Sequence, residues 1–256
     1  MRLLFILALL QPDPFRERVD KGVAFPDEPT VAAAAAKSEW HRKVLDILLD
    51  RAIWAESLKA VEERTGLKAA DLRIEIRFST IEEAAGRGWG RLGRGTIDFD
   101  LDKLAKYEKG AASCARLKAT GATVLVPPSR TDLVIPHELA HCFQGTDQPR
   151  WFLEGMASYV GRDPNHVCGF RAGRQKVGPI DAEIGQDWVF ARGWAFFEWM
   201  ESAHGADAVR RFIALSVGGK RADEAAAEAT GRGWDEIRKA ERDWSARWIS
   251  FFKAPK

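Results

Sequence analysis

The residues of this 256-residue chain that could do chemistry are His137, Glu138 and His141, in the run His137-Glu138-Leu139-Ala140-His141, together with Glu154 thirteen positions further on. On a helix, positions i and i+4 lie on one face, so the two imidazoles can close on a single metal ion. Glu138 sits one residue round from the first ligand, where it can reach a water on the metal without binding the metal itself. Histidine pairs at this spacing suit zinc, which in catalytic sites takes three protein ligands and keeps a fourth position for water. Glu154 is the candidate third ligand, in Trp151-Phe152-Leu153-Glu154-Gly155.

The neighbours of these residues argue for burial. Leu133, Val134, Ile135, Leu139, Ala140 and Phe143 surround the histidines, and Trp151, Phe152, Leu153 and Met156 frame Glu154. Histidine and carboxylate carried into an apolar setting need partners. A shared metal ion supplies one for all three.

The two segments, His137-Glu-Leu-Ala-His141 and Trp151-Phe-Leu-Glu154-Gly-Met-Ala-Ser-Tyr159, resemble those of the gluzincin metallopeptidases. Within that group the chain is most similar to the compact bacterial peptidase MA-like proteins. Weaker likeness runs on through Gly193-Trp194-Ala195-Phe196-Phe197-Glu198-Trp199-Met200 and the stretch from Ala229 to Trp244, so that residues 70 to 250 match in order. The resemblance implies a zincin-like fold, zinc held by His137, His141 and Glu154, and Glu138 as general base. It also implies a tyrosine or histidine that stabilises the oxyanion. Tyr159 reads as packing beneath the site, and Phe190 stands where relatives often carry tyrosine. Arg192 or His166 is then expected to substitute as the donor, with weak activity as the alternative.

The elements that must position these residues follow from periodicity. Residues 31 to 65 read as one long helix closed by Gly66, with Trp40, Val44, Leu48, Trp54, Leu58 and Val61 at helical spacing. Leu72, Ile74, Ile76 and Phe78 alternate with charged residues as a half-buried strand. A short helix is expected around Ile81 to Ala85. The glycine-rich run from Gly86 to Gly95 lacks the Gly-Lys-Ser/Thr ending of a phosphate loop, so a flexible loop or hairpin is expected there. Strands follow at Thr96–Phe99 and Ala122–Val126, with a helix over 101–109 between them. The metal helix is expected from Asp132 to Phe143 or Gln144, with Ser129 to Asp132 offering caps and Pro136 in its first turn. Helices over 151–160, 188–204, 206–217, 223–229 and 234–252 complete the chain, and 161–187 reads as irregular. His204, like His166, lies outside the ligand pattern. The fold class is therefore α+β: a small mixed sheet packed on the metal helix, followed by a mainly helical C-terminal half.

Met1-Arg2 followed by Leu3 to Leu10 has the form of a short secretory signal. It is far below the ~20 apolar residues that span a bilayer. Residues 1–30 are thus expected to be a signal and an extended, poorly packed stretch. Residues 31–256 are expected to form one domain, with a helix-and-sheet half over 31–130 and a zinc-binding half over 131–256. Export to the periplasm or outside the cell is the favoured reading, with a cytoplasmic location as the alternative. Lys plus Arg (39) nearly balance Asp plus Glu (37), which gives no electrostatic case for nucleic acid or an anionic membrane. Of three cysteines, Cys142 reads as a core residue, and Cys114 and Cys168 are free to pair in an exported protein.

The function expected is zinc-dependent hydrolysis of peptide bonds in a peptide or protein substrate, endopeptidase rather than exopeptidase because no motif for holding a free amine stands out. Two alternatives remain at this level: a zinc-binding module that binds protein without cleaving it, and a zinc amidase acting on a non-peptide or cell-wall amide.

Overall fold

The computed structural model describes residues 13–82, 84–110, 115–119, 122–126, 130–162, 180 and 186–252. The chain opens with α1 (Pro14–Gly22), whose N-cap Asp13 accepts from the Phe15 amide at 2.9 Å, and runs directly into β1 (Val23–Ala24). Val19 and Val23 are core residues and β1 pairs in parallel with the next strand. The stretch expected to be extended up to residue 30 is therefore folded from Asp13 onward: apolar residues on α1 bury against the body and outweigh the prolines beside them.

The single helix expected over 31–65 is three helices: α2 (Glu28–Ala35), α3 (Glu39–Leu48) and α4 (Arg51–Thr65). Ser38 and Asp50 break it. Each side chain accepts from a backbone amide of the turn that follows, Ser38 from His41 and Asp50 from Ala52, and so starts a new helix. Gly66 ends α4 as expected, with φ 72°.

The main sheet comprises β1, β2 (Arg73–Phe78), β3 (Gly86–Arg91) and β4 (Arg94–Phe99), in the order β1-β2-β4-β3. β1, β2 and β4 are parallel, and β3 runs antiparallel to β4 at the edge. The sheet is mixed and small, as the alternating pattern implies. The glycine-rich run is itself the hairpin, with strand residues from Gly86 onward. Where a helix was expected over 81–85, Asp100 holds the chain in an irregular path: its carboxylate accepts from the Ile81 amide at 3.1 Å, and its own amide donates to the Ala85 carbonyl at 2.9 Å.

After α5 (Leu101–Gly110), β5 (Ala115–Ala119) and β6 (Ala122–Val126) form a separate antiparallel pair. Five helices follow: α6 (Thr131–Gln144), α7 (Arg150–Gly161) and α8 (Gln186–His204), each of which contributes to the lining of the candidate site, then α9 (Ala206–Val217) and α10 (Ala222–Thr230). α11 (Trp234–Phe252) closes the chain. The overall class is α+β with a predominantly helical C-terminal half. One continuous core joins Ile74, Ile76, Ile97 and Phe99 of the sheet to Leu139, Phe143, Phe152, Phe196 and Phe212 of the helices. Among the described residues no helix is long and apolar enough to cross a membrane.

Candidate metal centre

α6 is fixed at both ends from outside itself. The caps expected from Ser129 to Asp132 do not form at the described positions: Arg130 is the N-cap and makes no side-chain cap bond, its guanidinium going to Asp132 instead. The Thr131 amide donates to Oε1 of Glu108, a buried carboxylate delivered by α5 at 2.9 Å, and Lys43 approaches the other oxygen at 3.2 Å. Burial alone would raise the Glu108 carboxyl; the hydrogen bonds from Thr131 and the Lys43 ammonium outweigh it and hold it below its ordinary value. With the helix starting at Thr131, Pro136 falls in the second turn rather than the first.

At the other end, the hairpin turn supplies donors to carbonyls that the helix leaves orphaned. Leu92 N–H donates to Phe143 O at 3.3 Å and Gly93 N–H to Cys142 O at 3.0 Å. The Gly145 amide donates back to Gly90 O at 2.9 Å. The strand beside α6 can come this close because of its glycines. A Cβ on Gly86 would stand 2.6 Å from Cγ of Glu138, and one on Gly88 would overlap the Glu138 carbonyl oxygen. The glycine run is thus a device for laying β3 directly against α6, the helix that carries the two histidines.

α7 is placed by a second close approach. A Cβ on Gly155 would lie 2.7 Å from Gly193 Cα, so α7 and α8 cross with backbones nearly touching, one residue after Glu154. Phe152, Tyr159, Phe196 and Phe197 fill the space around the crossing.

These supports bring three of the four sequence-predicted residues to one point. Nε2 of His137 and Nε2 of His141 each lie 3.5 Å from Oε2 of Glu154, and the three ligand atoms are within 4.8 Å of one another. A tetrahedral zinc with bonds of about 2.0–2.1 Å holds its ligands roughly 3.3 Å apart, so the donor set fits that ion in chemistry and in size. Glu138 is buried beside them, one oxygen accepting from the Gly88 amide at 2.7 Å. Burial works against a charged His141, but Glu154 and the negative charge of Glu138 outweigh it and lift the imidazole to about 9. Burial likewise pushes the Glu154 carboxyl up, and the two imidazoles prevail and hold it well below the usual carboxylate range.

The four residues line a cleft of about 320 Å³ whose wall includes Gly86, Gly88 and Trp89 of β3, with Arg150 and Phe190 opposite. Size does not select this site. A hollow of about 600 Å³ lined by Trp199, Arg232 and Asp243 is larger, but it brings no comparable ligand set together.

The residues considered for the oxyanion fall as follows. Tyr159 is buried, its ring stacked on Phe197 at 5.6 Å with Arg64 over it at 4.8 Å. Burial and the neighbouring Glu201 push its hydroxyl up. Phe190 stands beside His137 with ring centroids 5.8 Å apart. Arg192 does not face the cleft: it is fully buried in a two-armed ion pair with Glu241 of α11, which corrects its expected role. His166, Cys114 and Cys168 lie outside the described residues. Cys142 is a buried free thiol whose pKa burial raises. His204 packs against Trp199 at 5.4 Å.

Sequence reasoning missed three contributors. Gln144 lies one helical turn beyond His141, and its buried side chain meets that ring. Arg150 precedes Glu154 by four positions, and its Nε lies 3.8 Å from Oε1, the carboxylate oxygen turned away from the histidines. Helical spacing was the available signal for both. Gly88, the donor to Glu138, gave no signal beyond the glycine run.

Comparison with protein-family models, with curated proteins and with solved structures finds no match for this chain.

Proposed function

We propose that this chain is a zinc-dependent peptidase of gluzincin type, built on a zincin-like fold and acting as an endopeptidase on peptide or protein substrates. The observation that carries the reading is the convergence of His137, His141 and Glu154 with Glu138 held beside them by the Gly88 amide. Zinc in such a site lowers the pKa of water and polarises a substrate carbonyl.

The chain's own residues supply the rest. Glu138, buried and oriented by one N–H, takes a proton from water and delivers it to the leaving amine. The Arg150 guanidinium lies 3.8 Å from Oε1 of Glu154, while Oε2, the oxygen nearer the histidines, is the one that would meet a metal. β3 is the edge strand of the sheet, and its Gly86, Gly88 and Trp89 form the wall of the cleft beside the candidate ligands, where a substrate would lie.

One observation favours the reading in which zinc is kept without cleavage: among the described residues lining the cleft there is no tyrosine, and Phe190 offers no hydrogen bond. A digest of a proteome-derived peptide library, read by mass spectrometry, separates the two. New termini with the wild type and none with Glu138→Gln, both carrying zinc, are the expected result. Zinc in both proteins and cleavage by neither transfers the proposal to the non-cleaving module or to an amidase acting on a non-peptide amide.

A further inference from the structure

We infer that Gln144 is a positioning residue: it selects the tautomer of His141 that leaves Nε2 free for the metal, and it ties that choice to the helix carrying Glu154. The inference rests on the zinc reading and adds to it a residue acting through a ligand.

The side chain of Gln144 is 3% exposed and makes two contacts, one to Leu153 O at 2.8 Å and one to His141 Nδ1 at 3.0 Å. A backbone carbonyl only accepts. The end of the Gln144 amide facing Leu153 is therefore the NH₂ group, which turns Oε1 towards His141. That oxygen also only accepts, so Nδ1 of His141 must be the donor. In a neutral imidazole the other nitrogen then carries the lone pair, and that nitrogen is Nε2, 3.5 Å from Glu154 Oε2.

Each end of this relay is anchored. The backbone of Gln144 bridges to Arg91 of the hairpin, and Leu153 is the residue immediately before Glu154. A single amide thus fixes the orientation of one ligand and the distance to another across two helices. Partners of this kind typically account for roughly ten- to a hundredfold in metal affinity.

The test compares wild type with Gln144→Leu, which loses both contacts, and Gln144→Glu, which keeps an acceptor for His141 but loses the donor to Leu153. Zinc affinity is read by competition with a chromophoric chelator, and melting curves establish that each variant is folded. Expected are a loss of roughly ten- to a hundredfold for Gln144→Leu and recovery of the larger part of it in Gln144→Glu, which keeps the contact to His141 but not the one to Leu153. If the residue merely ties the helices together, Gln144→Glu falls as far as Gln144→Leu, and the inference is overturned. Nitrogen-15 spectra of the zinc-loaded wild-type imidazoles test the same point without any variant: a proton on Nδ1 of His141 is expected, and a proton on Nε2 refutes it. A wild type that takes up no zinc removes the metal centre itself, whereas a zinc-binding wild type matched by Gln144→Leu removes only the role of Gln144.

Discussion

Gly88 shows how much of the site is decided by single atoms. Its amide donates to Glu138, and its missing Cβ is what lets β3 lie on the backbone of α6. Gly88→Ala must push the strand away from the helix, and overpacking of this kind costs about 1–3 kcal/mol. Chemical denaturation is expected to show that loss, accompanied by a fall in turnover larger than the fall in zinc content, because the overlap falls first on Glu138, which loses its donor, while His141 is met only at its Cβ, 3.2 Å away. A fall in zinc equal to the fall in turnover would place the damage at the ligands instead. The candidate ligands themselves are legible in the sequence because a helix repeats every 3.6 residues, so the spacing of His137 and His141 fixes their common face. Gly88 is not, since its role depends on a strand meeting a helix fifty positions away, and periodicity carries no information about that meeting.

At the scale of elements, the start of α6 depends on a carboxylate from another helix. Glu108 stands in for the missing local cap, and losing a cap costs about 1 kcal/mol. Glu108→Gln is expected to lower stability at neutral pH and to flatten its dependence on acid. The sign follows from linkage. The Glu108 carboxyl lies below its ordinary value of 4.5 in the folded chain, so the folded state binds fewer protons than the unfolded state as pH falls past that value. Its contribution is fully present above 4.5 and is lost as pH falls through the lower, folded value. Denaturation midpoints across the acid range check this: the wild type should converge on the variant as pH falls, and parallel curves would exclude the capping role. Most helix and strand positions were legible from apolar spacing, including α9 and α11 over their full expected lengths. The breaks were not. An apolar stripe passes smoothly from Val44 to Leu58, and only the capping bond of Asp50 shows that two helices share it, as that of Ser38 marks the earlier break. The cap from Glu108 is equally hidden, because it comes from 23 residues upstream of Thr131.

Across the whole molecule, one turn of α8 connects the candidate site to the closing helix. Phe190 faces His137, Arg192 pairs with Glu241 of α11, and Gly193 meets Gly155 beside Glu154. Ser245 donates to the same Glu241 carboxylate at 2.6 Å, so α11 holds this turn from behind. A fully buried ion pair adds little over an apolar pair of the same volume, but breaking it strands a charge and costs about 3–5 kcal/mol. Glu241→Ala is therefore expected to be severely destabilising and to weaken zinc binding as well, although residue 241 touches none of the ligands. The double variant Arg192→Met/Glu241→Leu should recover most of the stability, because neither charge is left behind. Denaturation and chelator competition on the two variants distinguish the alternatives. Recovery of both stability and zinc affinity makes α11 a brace for the site whose charges are dispensable. Recovery of stability alone would mean that the Arg192–Glu241 geometry itself sets the position of the α8 turn, and through it the approach of α7 that carries Glu154 to the two histidines.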